Sequence, residues 1–271
     1  MLKIAALLCT LSTCLSALDT KPWLGPVYGL ELETGFSYSW FSKVEGASVQ
    51  PNSTIHNRNI FADLSFTPIE TIDVQIEGEF GRTDTINWSL RSGALQVRKW
   101  LLDDISGEDP VSLTCGVNVR GVPDHFLKSV TTPYASEFNA ELTASIGKEL
   151  SCGPYWFART WGFLSVGQGN RGYPWTRALL VGQYNLCDIH RFTLFTESAI
   201  GYGPKQHVDV NHFRGWGKYQ HQSIDIGASY GIRLGVWGIL TATYAYRPFA
   251  HNYPENMNFC MISYSLPFSV W

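Results

Sequence analysis

The sequence predicts an all-β fold: a closed antiparallel transmembrane β-barrel of about twelve strands. Three observations carry that expectation. Apolar and polar side chains alternate with period 2 in segment after segment, the signature of strands with one wall in lipid and one in a polar interior. Only 16% of residues are charged, against 45% hydrophobic and 14% aromatic with 10 Trp, whereas a soluble domain usually carries about 25% charge. An apolar leader precedes the first strand.

In that leader Lys3 is the charged start and Ile4 to Leu15 the apolar core. Ser16 and Ala17 are small residues that suit cleavage, so residues 1–17 read as a signal peptide and 18–271 as one barrel domain. The apolar run is too short for a spanning helix, which needs roughly 20 residues. Cys14 would suit lipoprotein processing, but Thr13 before it is a poor fit to the small residue expected there.

The first strand, Tyr28 to Phe41, sets Leu30, Leu32, Thr34, Phe36, Tyr38 and Trp40 against Glu31, Glu33, Gly35, Ser37 and Ser39. Its apolar wall ends in Tyr38, Trp40 and Phe41, aromatic types that settle at a membrane–water interface. The second (Asn59 to Thr67) and third (from Ile72) repeat the pattern, with Asp63 on the polar wall of one and Asp73, Glu77 and Glu79 on that of the other. A tight turn at Pro68–Glu70 joins them. The fourth, about Trp88 to Leu101, changes parity near Gly93, which suggests a bulge.

The fifth strand (Val111 to Arg120) and the sixth (from Phe138) again alternate. Lys148 falls on the apolar parity near a strand end, where its stem can reach the interface. The seventh (Tyr155 to Val166) and eighth (Trp175 to Tyr184) are apolar on both parities, which leaves Arg159 and Arg177 without an orientation. The ninth carries Arg191 and Glu197 inward, and the tenth, Ile224 to Val236, carries Asp225 and Arg233. The eleventh starts at Leu240, and the twelfth runs from Asn258 to the end.

Short connections at Pro68–Glu70, Ser151–Pro154, Asn185–Asp188 and Trp237–Gly238 alternate with long ones at Ser42–Arg58, Val122–Ser136, Gly203–Tyr219 and Arg247–Met257. That asymmetry separates tight periplasmic turns from external loops. Cys152 and Cys187 fall in two turns on one side; two strand spacings, about 10 Å, exceed the reach of a disulfide, so free or intermolecular thiols are expected. Cys115 and Cys260 fall on outward positions as small apolar groups. A net charge of −3, with no basic block, excludes a nucleic-acid partner.

With its alternating strands, Tyr- and Trp-rich girdles, short-turn/long-loop asymmetry and a terminal aromatic, Trp271, the mature chain resembles the outer-membrane β-barrel proteins of Gram-negative bacteria, the porin-like class. The resemblance implies a location in the outer membrane, lipid around the barrel and recognition of the last strand by the assembly machinery. The best alternation there, Cys260 to Val270, is out of phase with Trp271, and Pro267 interrupts it. No motif assigns a subfamily.

The inward parity is where function is expected. Glu31, Glu33, Asp63, Asp73, Glu77 and Glu79 form an acidic wall with no base among them; Arg120, Arg191, Arg233 and Arg247 are spread elsewhere, with Glu197 and Asp225 between. Such a division would set a transverse field across a water-filled lumen and select ions or small polar solutes. The inward glycines at 35, 81, 116, 147, 227, 231 and 235 suggest room inside. The leading expectation is a porin-like passive channel. The alternative is a structural or surface-interaction barrel with these groups pairing across a plugged lumen, since this strand count is narrower than the 16–18-stranded open porins. An enzymatic alternative rests on His221 and Ser223, a His-x-Ser spacing used by outer-membrane lipid hydrolases; the third, orienting residue of such families is missing, since Gly235 stands near its place. His207, Asp209 and His212 lack a metal-ligand spacing, and no cofactor is implied.

Overall fold

The computed structural model describes residues 18–106, 109–152 and 155–269. The expected leader, residues 1–17, and the terminal residues 270–271 lie outside them, as do 107–108 and 153–154 within two of the turns. Among the described residues twelve strands close into one antiparallel barrel. In chain order they are β1 (Gly29–Phe41), β2 (Ile55–Ile69), β3 (Ile72–Thr83), β4 (Ser89–Leu102), β5 (Ser112–Gly121), β6 (Phe138–Cys152), β7 (Tyr155–Gly169), β8 (Trp175–Leu186), β9 (His190–Tyr202), β10 (Gln220–Arg233), β11 (Ile239–His251) and β12 (Asn258–Ser269). Each pairs with its chain neighbour, and β1 closes the barrel on β12, with Leu30 opposite Phe268 and Trp40 opposite Asn258.

Alternation decides the two faces. Leu32, Phe36, Ile60, Leu64, Ile76, Leu142, Leu164, Leu180, Leu194, Ile226 and Ile262 are exposed on the outside, forming an apolar belt that only lipid can cover. Tyrosines at its borders turn hydroxyls to polar partners: Tyr38 to His56 Nδ1 at 2.6 Å, Tyr244 to Asn258 Oδ1 at 2.7 Å and Tyr246 to Asn256 Oδ1 at 2.6 Å. Phe41 is not part of that girdle. It stands on the inward parity and is 2% exposed, packed in a core formed by the long loops.

Several sequence expectations shift in detail. The parity change in β4 is a bulge at Arg91 and Ser92, two consecutive buried residues opposite a single step of β3 between Glu79 and Phe80. β2 runs through Pro68 to Ile69, with an irregular register after Phe66 in place of a turn there. β10 ends at Arg233; Leu234 and Val236 belong to the following turn, where Gly235 has φ 64°. Pro267 does not interrupt β12: it lies opposite Glu31 of β1, beyond Ser265 where pairing with β11 stops, so no ladder bond is required of its missing N–H on that side. Cys115, Cys152, Cys187 and Cys260 are all free thiols.

Three of the inward glycines, Gly35, Gly147 and Gly227, do not leave open space. The Phe61 ring fills the position beside Gly35, the Phe195 ring that beside Gly227, and Pro22 with Trp161 that beside Gly147. Their missing side chains are room taken by larger neighbours, and the same filling makes β7 and β8 read as apolar on both parities: Trp161, Phe163, Trp175 and Val181 are inside and buried.

Candidate functional site

The lumen has two closures with a cavity between them. At the end of the short turns, residues 18–26 run into the barrel. Trp23 packs edge-on against Trp161 at 5.8 Å, in a cluster with Val181, Phe195 and Ala245. Its indole N–H donates to Asp104 Oδ1 at 2.9 Å. Wall residues satisfy the backbone of this segment: Arg98 Nη1 donates to the Lys21 carbonyl at 2.7 Å and to that of Asp19 at 3.2 Å, and Thr114 Oγ1 to that of Pro22 at 2.5 Å. Arg98, 3% exposed, also pairs with Asp73 at 2.8 Å. A strand of polypeptide can occupy a lumen only if its peptide groups find such partners.

At the opposite end the long loops meet over the barrel. Phe41, Val44, Val130, Val208, Phe213, Trp216, Tyr219 and Tyr253 form one buried cluster drawn from four connections. A two-residue ladder, Val44 opposite Pro254, and a bridge from Ala47 to Val208 tie the loops together. The 122–137 connection turns inward and places Tyr134 in the lumen, where its hydroxyl donates to Glu79 and its ring lies 5.1 Å from the Arg120 guanidinium and 5.6 Å from that of Arg91.

Between the closures is a cavity with about 110 Å³ in which the centre of a water molecule can move. Among the described residues its charged lining is Arg91, Arg120, Arg177 and Arg247 with Glu79, Glu141 and Asp225. Arg247, 2% exposed, grips Asp225 through Nε at 2.7 Å and Nη2 at 3.2 Å. Arg177 reaches Glu141 at 3.3 Å, and Arg120 reaches Glu77 at 2.5 Å and Glu79 at 3.7 Å.

The expected acidic wall is present in position but not as an unopposed field. Asp73 is paired by Arg98 from β4, and Glu77 and Glu79 by Arg120 from β5. Glu33, Asp63 and Glu77 lie directly opposite one another across β1, β2 and β3; Asp63 is buried with Oδ2 unpartnered. Glu31 accepts from Ser265 Oγ. Glu197 is buried, and Arg191 lies 5.4 Å over the Trp156 ring. Arg233 sits at the mouth among the short turns, partly exposed and paired with Asp188, rather than along the wall.

His221 and Ser223 both point inward and are 6% and 1% exposed. The His221 ring stacks on Tyr253 at 5.0 Å and its Nδ1 lies 3.2 Å from the Tyr219 carbonyl. Asp225, the acid two residues further along the same face, is held by Arg247. The pair therefore faces the lumen, away from the lipid belt. In the external loop, Asp209 accepts from His212 Nδ1 at 3.0 Å, and that hydrogen bond holds its carboxyl below the usual range.

Sequence reading missed Arg91, Arg98 and residues 18–26, and left Arg159 and Arg177 without an orientation. The bulge was the available signal for the first two: past it, even positions such as Gln96 and Arg98 turn inward, while Arg91 is inward before it. Arg159 pairs with Glu149, directly opposite on β6, at 2.5 Å and lies between two rings, 4.2 Å over Trp156 of its own strand and 4.9 Å over Trp23 of the plug.

No protein-family model matches the chain, and a search of curated proteins finds no significant relative. Solved structures do match in fold. The COG4313 outer membrane channel from Pseudomonas putida F1 superposes with a TM-score of 0.67 over 93% of this chain and 100% of its own, at 11% identity. The NanC porin superposes with a TM-score of 0.56 over 88% of this chain and 98% of its own, at 10% identity. With its lipid-facing belt, this fold defines the class: the chain is a twelve-stranded transmembrane β-barrel, similar in fold to these outer-membrane channels.

Proposed function

We propose that the barrel is a porin-like passive channel for small polar solutes or ions, held closed in this conformation by its own N-terminal segment. The observation that carries the reading is the charged, water-accessible cavity inside the lumen, between a removable chain segment and a layer of loops. Burying charge is expensive even when paired, and a cavity that water can enter offsets that cost for the arginines and carboxylates that line it. Glu31, Glu33, Asp63, Asp73, Glu77, Glu79, Arg120, Arg191, Glu197, Asp225 and Arg247 form the proposed wall of the path, with Arg233 at its exit. Membrane lipid outside, polar solutes inside and the assembly machinery at the last strand are the proposed partners.

The segment 18–26 favours one second reading, a permanently plugged structural barrel. Planar-bilayer recording from residues 18–271 and from a version beginning at residue 27 separates the two. The channel reading expects small or infrequent steps from the first and larger, stable steps from the second. Two folded barrels that both stay silent would favour the structural reading.

A further inference from the structure

The bulge in β4 has a chemical consequence. By placing Arg91 and Ser92 inward in succession, it delivers one more guanidinium to the cavity lining than there are carboxylates in it. Arg120, Arg177 and Arg247 each have an ion-pair partner at 3.3 Å or less. Arg91 has none among the described residues. It is 5% exposed, its Nε has no hydrogen-bond partner, and its guanidinium lies 5.6 Å from the Tyr134 ring. Glu79 attracts it through space more strongly than it attracts Arg120, without a direct contact, while the same carboxylate also binds Arg120, Ser92 and Tyr134. A buried cation without a direct partner is costly, and a planar guanidinium held against an aromatic face is pre-set to take a planar oxyanion through two parallel N–H bonds.

The neighbours extend the site. Asn57, Asn59 and Asn118 line the same cavity, are 4–6% exposed, and each keeps Oδ1 unpartnered. Asn59 Oδ1 and the Arg91 stem at Cδ lie over the same residue, Gly81, so the amide stands beside the arginine side chain. Water can serve these atoms while the cavity holds nothing else, and a solute that reproduces the hydrogen bonds displaces it without loss. Unpaired amide oxygens call for hydroxyl donors. The Glu79 carboxylate on the same lining repels a second negative charge on a bound solute.

We propose that Arg91, with Asn57, Asn59 and Asn118, forms a binding subsite for small hydroxy-monocarboxylates, the carboxylate on the guanidinium and the hydroxyls on the amides. The inference rests on the channel reading for its physiological sense but not for its test. Binding can be measured on the refolded barrel in detergent whether or not it conducts, by titrating gluconate against tryptophan fluorescence, since Trp175 lines the cavity. Saturable binding of gluconate, with sorbitol and inorganic phosphate at least tenfold weaker, is the expected result. Arg91→Gln should weaken gluconate tenfold or more, Arg91→Lys should recover part of that, and Asn59→Ala should cost a few-fold. Each variant is first shown to fold by its strand circular dichroism and heat-dependent gel mobility.

Equal binding of sorbitol and gluconate would overturn the proposal, as would undiminished gluconate binding by both Arg91 variants, or no binding by the folded wild type. If the barrel binds gluconate and carries no current even after truncation to residue 27, the subsite stands and the channel reading falls. Current without gluconate binding would remove the subsite and leave the channel reading standing.

Discussion

The two halves of the lumen are built from the same alternating wall and end in opposite states. Towards the short turns the interior is filled: Trp23, Trp161, Val181 and Phe195 share one apolar cluster, and Arg98 and Thr114 spend their donors on the carbonyls of residues 19–22. Towards the long loops the wall carries Arg91, Arg120, Arg177 and Arg247 around a space that water can enter. Strand periodicity says which side chains face inward. What the chain ends and loops bring to meet them decides whether the interior becomes a core or a cavity.

Two arginines break the comparison most sharply. Arg98 and Arg247 are both buried and both hold a carboxylate, Asp73 in the filled half and Asp225 in the open half. Removing either by an alanine substitution leaves an uncompensated buried charge, a loss of about 3–5 kcal/mol. Both variants should therefore unfold at lower urea concentration than wild type, and chemical denaturation of the refolded barrel measures this. Only Arg98→Ala also frees the Lys21 carbonyl and leaves that of Asp19 to Gln96 alone, so it alone should raise bilayer current. Equal currents from the two variants would mean that the plug is not held by the wall.

Much of this fold is legible in the sequence, because a lipid-facing strand needs an apolar residue at every second position and leaves that mark whatever lies inside. Ten of the twelve strands could be given a face from it, β7 and β8 could only be located, and the bulge near Gly93 showed as a change of parity. The interior is less legible where its chemistry copies the exterior. In β7 and β8 the inward Trp161, Phe163 and Trp175 look like lipid-facing residues because they pack on a plug and on neighbouring rings rather than on water. Residues 18–26 show no periodicity, since an extended segment inside a barrel is held by wall side chains reaching its backbone. The apparently unopposed acidic wall follows from the same blindness: its counter-charges, Arg98 and Arg120, come from later strands, and the first is displaced in parity by the bulge.

Trp23→Ala acts on the filled half alone. It removes an aromatic side chain from a packed site, worth about 3–5 kcal/mol when the site cannot collapse, together with the bond to Asp104. The loss falls on docking of residues 18–26 rather than on the strand ladder. The variant should keep the wild-type strand circular dichroism while its N-terminal segment becomes open to chymotrypsin after Leu24. Protection of the Leu24–Gly25 bond equal to wild type would show that the polar contacts suffice.

Gly147→Ala is the finest probe of the boundary between wall and plug. Gly147 faces inward on β6, and a Cβ there would stand 2.8 Å from Pro22 Cγ and 2.8 Å from Trp161 Cβ. The Trp161 side cannot yield without moving β7, whose Trp161 lies directly opposite Gly147 in register. Pro22 belongs to an extended segment with no ladder of its own and can shift, but Trp161 Cβ and the Thr160 carbonyl, 2.9 Å from the added carbon, stay in the wall, so the strain, about 1–3 kcal/mol for overpacking, falls on plug and wall together. A modest rise in open probability in bilayer recordings is expected, smaller than for Arg98→Ala, with a small fall in the unfolding midpoint. If the midpoint falls and the current does not change, the wall gives way before the plug, and the N-terminal segment is an integral part of the barrel core.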